Sequence, residues 1–310
     1  MMAVGVTDFG GPEALQLLDL PIPEVGPGEI RVRVSAATVN AIDSLIRRGL
    51  AVAPTAQPPH VPGMDAVGVV DRIGEGADTD LRVGDRVIAI VVPSGTHGAY
   101  AQYVTVPAAS VVRAPAGTTD AQAASLPMNG LTARLALDTL ALAPGHAIAV
   151  TGAAGAVGGY AVQLAKADGL HVVADAGPHD ETLVKELGAD IILPRGPEYA
   201  QQVRAHLPEG VDGLVDAASL GEITTPAVRD RGTVVSLRGL EAIHERGIVT
   251  KPIVVFGYAQ ERAKLDRLRQ QTEDGQLALR VAQVLPAEQA EQAHQLLDAG
   301  GIRGRLVLEF

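Results

Sequence analysis

The chain has 310 residues, 47% hydrophobic and 20% charged, which suits two folded domains and excludes a disordered polymer. Its formal net charge of −11, with no dense Lys/Arg run, argues against a protein that coats nucleic-acid phosphates. Cysteine is absent, which rules out disulfides, a thiolate nucleophile and any metal site built on cysteine sulfur, and is compatible with the cytoplasm.

Residues 1–20 carry Asp8, Glu13 and Asp19 and lack a basic start followed by an apolar block, so no secretory signal is read there. No apolar run in the chain approaches the length of a membrane span. The first 120 residues read as β-rich, with short Val-rich strands expected at 3–6, 15–20, 30–36, 66–73, 86–91 and 99–106. Glycines at 63, 68, 74, 76 and 84 suggest the tight corners of a barrel. One amphipathic helix is expected over 41–48, stopped by Gly49. Asp120 is expected to cap a helix running to Ser125, and a second helix is expected over 131–142, before Pro144 and Gly145.

From Ala147 strand and helix patterns alternate. Strands are expected at 147–151, 171–175, 190–193, 212–216, 232–237 and 253–256, and helices near 156–168, 180–187, 198–207, 222–230 and 241–246. Such alternation gives right-handed crossovers and a parallel sheet, with ligands beyond the carboxyl ends of the strands. The tail from Tyr258 reads as a charged helix, a strand near 278–284, a helix near 287–297 and a last strand at 305–309. It does not extend a parallel sheet easily and is expected to return to the first domain. The expected domains are therefore 1–122 with 258–310, and 123–257.

The most informative stretch is A-I-A-V-T-G-A-A-G-A-V-G-G at 147–159: a buried strand, a glycine turn and a helix start. Backbone N–H groups of such a turn and the helix N-terminus converge on one point, which suits a pyrophosphate. Gly152 lets the chain leave the strand, Gly155 removes a Cβ where the ligand approaches, and Gly158 lets helix and strand pack closely. The residues expected to line this cradle are Gly152, Ala153, Ala154, Gly155, Ala156, Val157 and Gly158. The spacing is G-x-x-G-x-x-G, one residue longer in its first half than the usual G-x-G-x-x-G. Asp175 stands at the end of the next strand, where a ribose-binding acid is expected.

Several blocks occur in order: P-G-M-D-A-V-G-V-V-D-R-I-G at 62–74, V-G-D-R-V at 83–87, G-A-Y-A-Q-Y-V at 98–104, A-A-S-L-P-M-N-G-L-T-A at 123–133, and the glycine turn. This set resembles the medium-chain dehydrogenase/reductase superfamily, and most of all its zinc-free quinone oxidoreductase branch. The resemblance spans essentially the whole chain. It implies an α/β fold class: an N-terminal GroES-like β-barrel, a Rossmann domain with a doubly wound parallel sheet, a C-terminal return to the barrel, and a nicotinamide between them. It also implies a homodimer formed by pairing the last Rossmann strands, which here would be Ile253 to Phe256.

The zinc enzymes of this superfamily use Cys and His ligands. Where they carry Gly-His-Glu, this chain has Gly63-Met64-Asp65, and a thioether is a poor zinc ligand beside imidazole. No metal is expected. Without a Lewis acid, reduction of an already activated acceptor such as a quinone or an α,β-unsaturated carbonyl is favoured over alcohol oxidation.

Asn40 and Asp43 stand in V-N-A-I-D, which resembles a block that the family places at its active cleft. Asn40 is the candidate donor to a carbonyl gaining charge as hydride arrives, and Asp43 is placed to orient Asn40 or a water. The competing reading is that Asn40 ends a strand and Asp43 caps a helix. Asn129 and Thr132 lie in the loop that, by the resemblance, meets the nicotinamide ribose and carboxamide. Strand-end logic adds Ala217, Ala218, Leu237, Arg238, Gly239, Phe256 and Gly257 to the cofactor edge.

Asp175 favours NAD, since a carboxylate repels a 2′-phosphate. Arg195 favours NADP(H), because it follows a predicted strand where quinone reductases commonly carry a Tyr beside the adenosine phosphate, and a guanidinium binds phosphate bidentately. Arg305 is a further candidate for phosphate charge. The reading adopted is NADP(H), with NAD(H) second. The expected function is zinc-independent hydride transfer from NADPH to a quinone or enone. The alternatives are an enoyl-thioester reductase of the same superfamily and a non-catalytic dinucleotide-binding sensor. A small-molecule acceptor is the expected partner, with no nucleic acid and no membrane.

Overall fold

The computed structural model describes residues 1–237 and 245–310. The chain divides into two compact units: Met1–Met128 with Phe256–Glu273 and Leu279–Phe310, and Asn129–Val255 with Asp274–Ala278. In chain order the elements are β1 (Met2–Gly5), β2 (Gln16–Asp19), β3 (Glu29–Thr38), α1 (Ala41–Arg47), β4 (Asp65–Ile73), β5 (Arg86–Ile90), β6 (Tyr103–Pro107) and β7 (Val111–Arg113). There follow α2 (Asp120–Ala124), α3 (Pro127–Leu140), β8 (Ala147–Thr151), α4 (Ala156–Ala167), β9 (His171–Ala176), α5 (Glu181–Glu186), β10 (Ile191–Pro194), α6 (Tyr199–His206) and β11 (Val211–Asp216). The last are β12 (Val228–Ser236), β13 (Val249–Pro252), α7 (Arg262–Glu273), β14 (Val281–Pro286), α8 (Ala290–Ala299) and β15 (Arg305–Glu309).

The first unit is built on a mixed sheet of order β14-β15-β3-β4-β5-β7, with β6 on the free half of the β3 edge. The ten-residue β3 pairs with β4 along one side, and on the other with β6 over its first half and β15 over its end. Its register against β4 shifts between Val34 and Ala36, and a Cβ on Gly68 would stand 2.0 Å from the Arg33 carbonyl oxygen. A bulge facing a glycine is how a sheet turns a corner. The core here is Val, Ala, Ile and Leu with one aromatic, Tyr100. The tail does return to this unit: β15 pairs antiparallel with β3, and β14 lies parallel to β15.

The second unit is a six-stranded parallel sheet, β10-β9-β8-β11-β12-β13. Counted from β8, that order is 3-2-1-4-5-6, the doubly wound dinucleotide-binding arrangement. The apolar run in β8 is buried along almost its whole length, as a central parallel strand requires.

Three expectations are corrected. Thr119, not Asp120, caps α2: its Oγ1 accepts from the Gln122 amide, and the Gln122 side chain accepts from the Thr119 amide. Asp120 instead accepts from Ser35 and Arg86. The helix expected at 222–230 is a 3-10 turn over Gly221–Ala227, after which Val228 already enters β12.

The last strand of the parallel sheet is Val249–Pro252, not Ile253 to Phe256, and Val255–Tyr258 is a 3-10 turn. An edge strand facing water carries no apolar signal and tolerates proline, so V-T-K-P reads as loop while the apolar residues beside it read as strand. Most of the helix expected near 241–246 lies outside the described residues.

Candidate active site

The glycine turn is built almost entirely from main chain. Gly152 has φ +65°, and a Cβ on it would come within 3.2 Å of the Ala217–Ala218 backbone. A Cβ on Gly158 would lie 2.2 Å from the Gly152 carbonyl oxygen, so only glycine allows α4 to start this close to β8. Gly155 precedes α4 without any side-chain cap, which leaves the first-turn amides of Ala156 and Val157 for an anion.

Two amides of the turn are already paired within the protein. The Gly155 amide donates to the Gly152 carbonyl at 2.8 Å, and the Ala153 amide donates to Asp175 Oδ1 at 3.0 Å. The other oxygen of Asp175 accepts from Arg195 Nε at 2.8 Å. Asp175 is 1% exposed, whereas 39% of the Arg195 side chain is open to solvent. The acid expected at the ribose therefore braces the turn and holds an arginine.

The neighbouring strand end is tied in the same manner. Asp216, fully buried, accepts from Thr151 Oγ1 at 2.7 Å and from the amides of Leu220 and Gly221; Thr151 Oγ1 in turn accepts from the Ala218 amide. This places Ala217 and Ala218 beside the turn. The sequence reading missed Asp216, whose only signal is its place at a strand end. Leu237 is partly exposed beyond β12. Arg238 and Gly239 lie outside the described residues. Phe256, 45% exposed, and Gly257 fall in the 3-10 turn after β13.

Asn129 occupies the first turn of α3, 3% exposed, and its Nδ2 has no hydrogen-bond partner among the described residues. A buried amide donor left open is a site for an external acceptor. Thr132 lies one turn further on, also buried. The open donor, the glycine turn and the uncapped helix start fit a nicotinamide dinucleotide.

The first unit holds a denser side-chain cluster. Asn40 is 2% exposed; its Nδ2 donates to Asp65 Oδ2 at 2.8 Å and its Oδ1 accepts from Arg305 Nη2 at 2.6 Å. Asp65 Oδ2 also accepts from Thr38 Oγ1 at 2.5 Å, and Asp65 Oδ1 from the Met128 amide at 2.6 Å. Arg305 Nη2 donates to Thr38 Oγ1 at 2.7 Å and is 3.5 Å from Asp65. The expectation of Arg305 as a phosphate-binding charge is corrected: the side chain is buried in this cluster, at the start of β15, and points into protein.

Asp43 lies beneath Asn40. It accepts from the Asn40 amide at 2.7 Å, closing the start of α1, and from the Gly63 amide at 2.9 Å. Burial raises its pKa to about 7, against the lowering effect of those two amides, while Asp65 adds to the rise and Arg305 opposes it. Helix capping, the plainer of the two readings, is thus present in the structure. Asp65, Thr38 and Arg305 were not read as a group because 27 and 267 residues separate Thr38 from its partners.

Zinc does not fit these residues. Met64 is fully buried where the zinc enzymes have histidine, and among the described residues no three His, Cys, Asp or Glu side chains converge as a metal site needs.

Comparison with known proteins bears on this geometry. Residues 26–116 match the alcohol dehydrogenase GroES-like domain, and residues 187–308 match the zinc-binding dehydrogenase domain. A quinone oxidoreductase of Sus scrofa is 29% identical, covering 99% of this chain and 97% of its own length. The crystal structure of an NAD-dependent alcohol dehydrogenase superposes with TM-score 0.88 at 31% identity, covering all of both chains. The chain belongs to the medium-chain dehydrogenase/reductase superfamily, in its quinone oxidoreductase branch. It is an oxidoreductase that binds a nicotinamide dinucleotide and acts on small molecules. A chloroplastic NADPH-dependent alkenal/one oxidoreductase of Arabidopsis thaliana is 32% identical over 77% of the chain and 63% of that protein. Among the described residues of this oxidoreductase, no helix is long and apolar enough to cross a membrane.

Proposed function

We propose that this oxidoreductase transfers hydride from NADPH to a quinone or an α,β-unsaturated carbonyl without zinc. The observation that carries the NADPH assignment is the Asp175–Arg195 pair. An acid with free oxygens at this strand end would bond a ribose diol and repel a 2′-phosphate. Here one oxygen accepts from the Ala153 amide and the other from Arg195, so the acid is neutralised and a partly exposed guanidinium stands at the strand end. Such a group favours a phosphate.

The rest of the mechanism is positioning. The amides of Ala156 and Val157 hold the pyrophosphate, and Asn129 Nδ2 is the open donor for the nicotinamide end. When bound, the nicotinamide supplies the hydride. Asn40 and Asp43 serve the acceptor side as positioning residues, because the Asn40 amide is already committed to Asp65 and Arg305. Solvent supplies the proton. Among the described residues, the lack of a zinc-binding donor set favours acceptors that need no Lewis acid. The alkenal/one oxidoreductase among the relatives supports an enone as one such acceptor. A homodimer would form through the edge strand β13, whose Val249 is 47% exposed.

Replacing Arg195 with alanine is expected to raise the NADPH dissociation constant at least about tenfold and leave that for NADH unchanged, as loss of a charged hydrogen bond implies. Calorimetric titration reads both. An unchanged NADPH affinity would remove Arg195 from the phosphate site.

A further inference from the structure

We infer that His294 is a positioning residue: held as its Nε2–H tautomer, it turns the Tyr100 hydroxyl onto Asp43 and so fixes the Asn40 and Gly63 amides on the acceptor side. The role in the reaction rests on the reductase reading above; the hydrogen-bond chain does not.

Four side chains make the chain, all fully buried: Arg47 at the end of α1, His294 in α8, Tyr100, and Asp43. Arg47 Nη1 lies 3.3 Å from His294 Nδ1, His294 Nε2 lies 3.3 Å from the Tyr100 hydroxyl, and that hydroxyl lies 3.3 Å from Asp43 Oδ2. The direction of each bond follows from the first. Arginine has no acceptor, so His294 Nδ1 must present its lone pair. A neutral imidazole then carries its proton on Nε2. Nε2–H donates to the Tyr100 oxygen, and the Tyr100 hydrogen is left to point at Asp43. A doubly protonated ring would set N–H against the Arg47 N–H groups, and burial together with Arg47 pushes the His294 pKa down to about 3, with Arg48 acting in the same direction and Asp298 against it. The rings of Tyr100 and His294 meet edge-on, their planes at 90°, which brings the imidazole edge to the phenol.

Arg47 is itself held. Asp298 of α8 accepts from Arg47 at 2.7 Å, from Arg48 at 3.0 Å and from Ser44 Oγ at 3.1 Å. The tail helix therefore supplies both the imidazole and the carboxylate that locks its donor.

At the other end the chain reaches the loop before Met64. Gly63 has φ +100°, and a Cβ there would stand 2.5 Å from the Tyr100 ring. The Tyr100 amide donates to the Pro62 carbonyl, and the Ala99 amide to that of Gly63. A tilt of the phenol is thus transmitted to Gly63 by direct packing as well as through Asp43. Asp43 and Asp65 then grip Asn40 from its backbone and its side chain respectively.

Three readouts test this at pH 8, where Asp43 is ionised. Nitrogen NMR of the histidine-labelled wild-type protein is expected to show one ring protonated only on Nε2. A protonated Nδ1 in the His294 ring would overturn the proposal. Amide exchange at Asn40 and Gly63 in Tyr100→Phe is expected to quicken about tenfold, the loss of one modest hydrogen bond; wild-type rates would overturn it. With NADPH and a benzoquinone, Tyr100→Phe and His294→Phe are each expected to lower kcat about tenfold while NADPH affinity holds, because the hydrogen bonds they break lie on the acceptor side. Wild-type kcat in both variants would remove the catalytic part. An inactive wild-type protein would instead sink the reductase reading, and the NMR and exchange results would still decide the hydrogen-bond chain.

Discussion

Both units anchor their sites with buried carboxylates, yet they do so in opposite ways. In the parallel-sheet unit Asp175 and Asp216 brace loops whose candidate binding groups are backbone amides at close-packed glycines. In the mixed-sheet unit Asp43 and Asp65 organise side chains drawn from β3, β4, α1, β15 and the start of α3. A main-chain site is defined by what cannot be added to it. A side-chain network is defined by what cannot be taken away. The two units should therefore fail under opposite kinds of substitution.

The largest effect is expected from Asp65→Ala. It strands Arg305 as a buried charge and takes the shared carboxylate acceptor from Thr38, Asn40 and Met128. Breaking one partner from a buried pair costs about 3–5 kcal/mol, read as a lower urea midpoint. A change within about 0.5 kcal/mol would mean the network is not what holds this end of β3.

Next is Gly158→Ala, which adds a single methyl and removes nothing. That methyl meets the Gly152 carbonyl, so α4 must move away from the turn. Overpacking of this kind costs about 1–3 kcal/mol, or up to about a hundredfold in NADPH affinity. Wild-type affinity in the variant would show that the cradle tolerates a side chain and that the comparison between the units is wrong.

The smallest effect, taken over a single pH unit, is a pH dependence that the mixed-sheet unit hides. Asp43 titrates near 3.8 when unfolded and about 7 when folded. The folded state keeps a proton the unfolded state releases, so this contribution is complete below 3.8 and lost as pH rises to about 7. His294 titrates near 6.5 unfolded and about 3 folded, so its contribution is complete above 6.5 and lost as pH falls. Between 3.8 and 6.5 the two slopes cancel. Relative to the parent, stability of Asp43→Asn is expected to rise with pH by about 1.4 kcal/mol per unit in that window, and that of His294→Phe to fall by about as much. Urea midpoints across the window measure both. Parallel profiles for parent and variants would refute the shifted titration of these two groups.

The same division explains what could be read from the sequence. The glycine turn, its flanking strand and helix, and the alternation of strands and helices in the parallel-sheet unit rest on local periodicity and glycine spacing, which a linear text preserves. Asn40 and Asp43 were also legible as a pair, being three residues apart on a helix start. Tyr100 and His294 are 194 residues apart, and Arg305 and Asn40 are 265 apart. No periodicity marks such partners, because only the return of the tail to β3 brings them together. The position of Asp175 at a strand end is legible in the sequence, whereas its bonds to Ala153 and Arg195 depend on how the turn folds over it. β13 was displaced because an exposed edge strand carries too few apolar residues to stand out.

On the proposed function, main-chain groups of the parallel-sheet unit hold NADPH and its hydride passes to an electron-poor acceptor without a metal. The most direct test follows NADPH absorbance when purified protein, treated with chelator, is given 1,4-benzoquinone or an enone. Steady oxidation of NADPH that added zinc does not accelerate is the expected result. No turnover with any such acceptor, or turnover only after zinc is restored, would contradict it.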